Sequence, residues 1–149
     1  MFSKSNSLNF LFLFMSFSTL IAQPQIEFKG SKQARPGYGA GLKVKIARNG
    51  VTGLMRFVCD IPKDCSVNEL NVTSAIISTS DNEMRAVWLT VPLKDTIFQE
   101  WEIKIPEDAK GKYTINGHLE YFKDGVKKSV PCNSIEIQLS PYFTRYLED

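Results

Sequence analysis

The chain has 149 residues, 43% hydrophobic and 23% charged, with 18 Lys and Arg against 16 Asp and Glu for a formal net charge of +2. That length sets a single domain of modest size, and charges of both signs interspersed at near balance leave no electrostatic footprint for nucleic acid or an anionic membrane. With one histidine and three cysteines, neither a histidine-rich metal site nor a histidine-based triad has much material to draw on.

Met1 to Ala22 carries one cation, Lys4, then an apolar run from Leu8 to Phe17 broken only by Asn9 and Ser16, then Ser18, Thr19 and, after Leu20 and Ile21, the small Ala22 before the polar Gln23. A charged start, a short greasy core and a small residue at the end predict a cleaved secretory signal over 1–22. The run falls short of the ~20 apolar residues that a spanning helix requires, so no membrane span is expected after cleavage. Removal of Lys4 leaves 17 Lys and Arg against 16 acids. The expected location is therefore outside the cytoplasm: periplasm, cell surface or medium. The remaining chain divides into a folded domain over 23–140 and a C-terminal tail over 141–149.

In the mature part, Gln25 to Phe28 alternates and predicts a short first strand, followed by a loop rich in glycine up to Gly41. Leu42, Val44 and Ile46 alternate with Lys43, Lys45 and Ala47 until Asn49-Gly50 turns the chain. Leu54 to Ile61 is apolar on both faces and ends at Pro62. Lys63 to Thr73 is polar and turn-prone, Ser74 to Ser80 returns as a short strand, and Asp81-Asn82 is read as a turn rather than a calcium loop. Glu83 to Val91 is apolar at nearly every position after Arg85, the pattern of a central strand. From Ile97 to Ile105 one parity collects Ile97, Gln99, Trp101, Ile103 and Ile105, which points Trp101 inward. Lys112 to Leu139 then reads as two long strands folded at Asp124-Gly125, a type I′ turn signal.

About eight short strands without helical periodicity must bury their apolar faces against a second sheet. The predicted fold is all-β, an antiparallel immunoglobulin-like sandwich. The expected sheet edges are the first strand and the last, Ser134 to Leu139.

The cysteines leave two readings side by side. Cys59 and Cys65 flank a turn-rich link and form a candidate disulfide, whereas Cys59 and Cys132 also read as small buried apolar residues. His118 sits on the polar face of its strand, no Gly-x-Ser-x-Gly elbow is present, and no metal or cofactor site is expected. Accessible aromatics are the candidate binding residues: Phe122 near the hairpin tip, and Tyr142, Phe143 and Tyr146 in the tail. Asn71-Val72-Thr73 is a formal glycosylation acceptor.

Leu42 to Ile46, Asn49 to Leu54, Asp60-Ile61-Pro62 and Ala86 to Pro92 follow one another in an order that resembles the repeated β-sandwich modules of exported proteins in gliding, type-IX-secreting bacteria, themselves similar to immunoglobulin-like and cohesin-like sandwiches. The resemblance implies an envelope or secreted location and a role in holding other proteins; it brings no functional residue with it. The expected function is a non-catalytic sandwich that binds or scaffolds another envelope protein, with edge-strand pairing as one route. The alternative is a carbohydrate-binding module using exposed aromatics.

Overall fold

A computed structural model describes residues 23–71, 73–90 and 94–141. The signal over 1–22 and the tail aromatics Tyr142, Phe143 and Tyr146 lie outside the described residues. Within them the chain is strand and connection only: β1 (Gln25–Gly30), β2 (Gln33–Ala34), β3 (Gly39–Ala47), β4 (Met55–Asp60), β5 (Ser66–Glu69), β6 (Ile76–Ser80), β7 (Glu83–Trp88), β8 (Thr96–Lys104), β9 (Lys112–Ile115), β10 (Gly117–Lys123), β11 (Val126–Pro131) and β12 (Ile135–Leu139). No helix among the described residues is long and apolar enough to cross a membrane.

The strands form an antiparallel, immunoglobulin-like sandwich. One sheet has the order β1-β3-β8-β5 and the other β11-β10-β4-β7-β6. A three-stranded sheet, β2-β12-β9, prolongs the second, since β9 and β10 are one run broken at Asn116. The first strand exchanges sheets, for β1 pairs antiparallel with β3 while β2 pairs parallel with β12. That exchange corrects one expectation: β12 lies between β2 and β9, so the last strand is not an edge, whereas β1 is.

Twelve elements stand where about eight are read from the sequence. Both hairpin arms are broken in two, and β2 and β5 fall in segments read as loops. β5 is Ser-Val-Asn-Glu with only Val67 packed against the core, too little alternation to register as a strand.

Asp124 and Gly125 close the hairpin with φ of 53° and 73°, both in the left-handed region that a two-residue type I′ turn requires. Farther down, His118 pairs with Pro131 but Ile115 pairs with Ile135, so the returning arm has one residue more than its partner. This β-bulge at 132–134 switches the inward parity from Val130 and Cys132 to Ile135, Ile137 and Leu139. Asn116 faces the break, with its Oδ1 accepting from Ser134 Oγ at 2.8 Å and its Nδ2 donating to Asp60 Oδ2 at 3.1 Å.

The sheets meet at three rings. Phe28 of β1 and Trp101 of β8 come from one sheet and Phe57 of β4 from the other, with centroids 5.2 Å apart for Phe28–Phe57 and 5.6 Å for Phe57–Trp101. The edge-to-face and tilted geometries are those that aromatic quadrupoles prefer. Gly117 lies under Phe57, where a Cβ would sit 3.0 Å from Phe57 Cζ and 3.4 Å from Val58 O. Gly117→Ala is therefore expected to overpack the centre of the sandwich and cost about 1–3 kcal/mol. Urea unfolding measures this, and a variant within a few tenths of wild type would contradict the close packing described.

Candidate binding edge

The solvent face of the second sheet carries the titratable groups. Glu120 of β10, with a side chain 14% exposed, accepts from Arg56 Nε of β4 at 2.6 Å and from Lys127 Nζ of β11 at 2.8 Å. Burial raises the Glu120 pKa most strongly, but the hydrogen bonds and charges of Lys127 and Arg56 together outweigh it and bring the carboxyl down to about 2. His118 Nε2 stands 3.6 Å from the same carboxylate.

The pleat separates this imidazole from the thiols. Cys59 pairs with Gly117 on β10, and Cys132 N donates to Gly117 O from the other side. Both cysteines pack toward the core, while His118, one position on, faces out. No Cys-His dyad forms across a sheet, and the Glu120 cluster is a cross-strand tie. Because the folded pKa lies below the ordinary value, the stabilisation is complete above about pH 4.5 and is lost as pH falls toward 2. Glu120→Gln should cost about 2 kcal/mol at neutral pH. Its deficit in melting experiments should shrink as the pH is lowered through that window, and an unchanged deficit at low pH would refute the tie.

The cysteines are free thiols, and the structure does not bring Cys59 and Cys65 together. Cys59 is buried among core side chains, whereas the Cys65 thiol shares a hydrogen bond with the Tyr113 hydroxyl of β9, on the far side of the intervening turn. Burial raises all three thiol pKa values, Cys132 to about 12. Alkylation of the native protein should therefore reach Cys65 and Cys132 slowly and Cys59 only on unfolding. Peptide mass spectrometry reads the order, and early modification of Cys59 would be incompatible with its placement.

Of the aromatics, Trp88, Trp101 and Tyr121 are core, and Tyr113 is half-buried. Phe122 is 41% exposed, but the other exposed rings among the described residues, Tyr38 and Phe98, lie in the β2–β3 connection and on the opposite sheet. Each has a cation rather than a second ring over it, Arg35 at 4.9 Å from the Tyr38 centroid and Lys45 at 5.9 Å from that of Phe98. Asn71 of the formal acceptor Asn71-Val72-Thr73 has its amide engaged in hydrogen bonds. Its Nδ2 donates to Phe98 O at 3.3 Å and its Oδ1 accepts from Glu100 N at 2.7 Å, so the side chain belongs to the fold.

Asn71 is part of a polar knot around Gln99, the fully buried amide on β8. Gln99 Nε2 donates to Asn71 Oδ1 at 3.1 Å and to Glu69 Oε1 at 3.2 Å, and its Oε1 accepts from Thr73 Oγ1. These bonds fasten the segment that carries the chain from β5 in one sheet to β6 in the other. On that flank the sandwich is open, with a cleft of ≈ 720 Å³ between Ser66 and Val67 of β5 and Thr79 and Ser80 of β6.

β6 is the edge that this flank presents. Ile61 N donates to Asn82 O at 2.8 Å, which sets the alternation of the β4–β7 ladder. It follows that Glu83, Arg85 and Val87 bond to β6 through Ser80, Ser78 and Ile76, and that the N–H and C=O of Ile77 and Thr79 point away from the sheet. Edges are ordinarily guarded by charge, proline or shortness. β1 has Glu27 and Lys29, β11 has Lys127, Lys128 and Pro131, β9 begins with Lys112, β5 ends in Glu69 and β2 has two residues. β6 is Ile-Ile-Ser-Thr-Ser, with no charge and no proline, and its Ile76 is 56% exposed.

No protein-family model matches the chain, and no curated protein is similar to it in sequence. Among solved structures it is similar to a GH20 exo-β-N-acetylglucosaminidase from Vibrio harveyi in complex with N-acetylglucosamine, at 7% identity and a TM-score of 0.43, over 85% of this chain and 20% of that one. An inactive mutant of the same enzyme gives the same values, a TM-score of 0.43 at 7% identity over 85% and 20% of the two chains. The chain thus spans about a fifth of the length of that enzyme.

Proposed function

We propose that this chain is an exported, non-catalytic sandwich that binds another cell-envelope protein or a further copy of itself by accepting an extended segment beside β6. The observation that carries the reading is the unguarded β6 edge, with the outward backbone groups of Ile77 and Thr79 next to an open cleft between the sheets. Strand addition draws affinity from main-chain hydrogen bonds and specificity from alternate side chains, so it needs no convergent reactive groups. The separation of His118 from the thiols fits a binding role, as does the resemblance to exported modules of type-IX-secreting bacteria. An uncharged edge selects an extended partner segment that is itself uncharged and β-branched.

A photocrosslinking residue at Ser78, which faces solvent on β6, tests this in the native cells. The expected result is an adduct of defined mass that is absent when the crosslinker replaces Lys43 on the solvated face of β3. Thr79→Pro removes only an outward N–H, which an edge strand tolerates. It should weaken capture about tenfold, the worth of one or two hydrogen bonds. Equal adducts from both positions, or capture indifferent to the proline in a normally folded variant, would defeat the reading.

A further inference from the structure

We infer that the segment seated on β6 is β6 of a second copy of this chain, in antiparallel register about a two-fold axis through Ser78. This rests on the reading of β6 as the binding edge and names its occupant. A two-fold axis perpendicular to the sheet makes the pairing antiparallel, and it closes at a dimer because the same patch serves both copies. In that register Ile77 lies opposite the partner's Thr79, and each pair exchanges N–H and C=O groups that otherwise point into solvent. On the solvent face Ser78 meets the partner's Ser78 and Ile76 meets the partner's Ser80, while on the opposite face, one step beyond the Ile77–Thr79 pair, Ala75 meets the partner's Asp81.

No position in this register sets charge against like charge, and Ile77 and Thr79 are β-branched residues suited to cross-strand pairing. The other long edges are less suited to the same pairing. On β11 a self-pairing has to accommodate Lys127 and Lys128 and lacks the N–H of Pro131; on β1 a two-fold axis through Phe28 sets Glu27 opposite the partner's Lys29, so that edge can pair only by desolvating charged side chains, whereas β6 has none. Pairing through β6 joins two five-stranded sheets into one continuous sheet and removes both unguarded edges.

The test uses the protein purified after export, examined by sedimentation over a wide concentration range. Wild type should show a concentration-dependent dimer. Ser78→Lys and Ser78→Glu each place like charges face to face on the axis, so each alone should raise the dimer dissociation constant at least tenfold. Mixing the two should restore a heterodimer, a rescue that no loss of folding imitates. Arg85 neighbours Ser78 within its own sheet, so Ser78→Lys will melt below Ser78→Glu, and the mixing result decides. A wild type that stays monomeric while the Ser78 crosslink to another protein persists overturns the self-pairing and leaves the edge as a binding site. A dimer unaffected by either variant overturns it too, and absence of both dimer and crosslink removes the edge reading with it.

Discussion

The contact of Phe28, Phe57 and Trp101 is what makes the two sheets one body. The rings come from β1, β4 and β8, strands distant in the chain, and each is fully buried. Burying large aromatic area at one point supplies much of the favourable free energy available to a domain of this size. It also dictates its surroundings. Phe57 can lean across its own sheet only because the neighbouring strand offers Gly117, and Gly117 in turn stands between Cys59 and Cys132. The thiols are accordingly packing residues in a crowded row.

From that centre the two flanks of the sandwich diverge. On one, β1 passes into β2, which crosses to β12, and the bulge at 132–134 lets Asn133 Nδ2 reach back to Phe28 O at 3.0 Å, so the sheets are laced together. On the other, the β5–β6 segment held at Gln99 crosses between the sheets, and a cleft lined also by Ile61, Lys63 and Asp64 of the β4–β5 connection remains. Both flanks carry a cleft, of ≈ 640 Å³ beside β1 and β12 and ≈ 720 Å³ beside β5 and β6, so the flanks differ in how the chain links the sheets and in the charge of their edge strands. Arg56 and Lys127 with Glu120, Lys43 with Glu100 and Lys112 with Glu136 are cross-strand ion pairs on the sheet faces, and β6 itself carries no charged side chain.

Much of this was legible from periodicity. The inward parity of Ile97, Trp101, Ile103 and Ile105 holds, as do the central place of the strand from Glu83 and the turn at Asp124-Gly125. Gln99 already stood on the core parity as a polar exception, the trace of a buried knot whose other members, Glu69, Asn71 and Thr73, lie in a segment with no period at all. Side chains that bond across sheets leave no regular spacing. The bulge was hidden for a related reason, since one extra residue shifts parity without changing composition. The edge was misassigned because whether a strand is an edge depends on its neighbours, and β2, two residues in a glycine-rich loop, is neighbour enough to cover β12. Phe122 was found exposed at the hairpin tip, and the other exposed rings among the described residues, Tyr38 and Phe98, lie elsewhere on the surface.

The Gln99 knot also decides how the domain bears mechanical load. β6 is attached to the body along the β6–β7 ladder and by its two chain ends, of which the upstream one is anchored to β8 in the opposite sheet. Tension along a strand laid on β6 would act in shear, on all of its ladder bonds at once, and would reach the far sheet through the buried amide. Tension at right angles would peel the same bonds singly. A strand coupled through this edge would therefore resist tension along its own axis more strongly than tension across it.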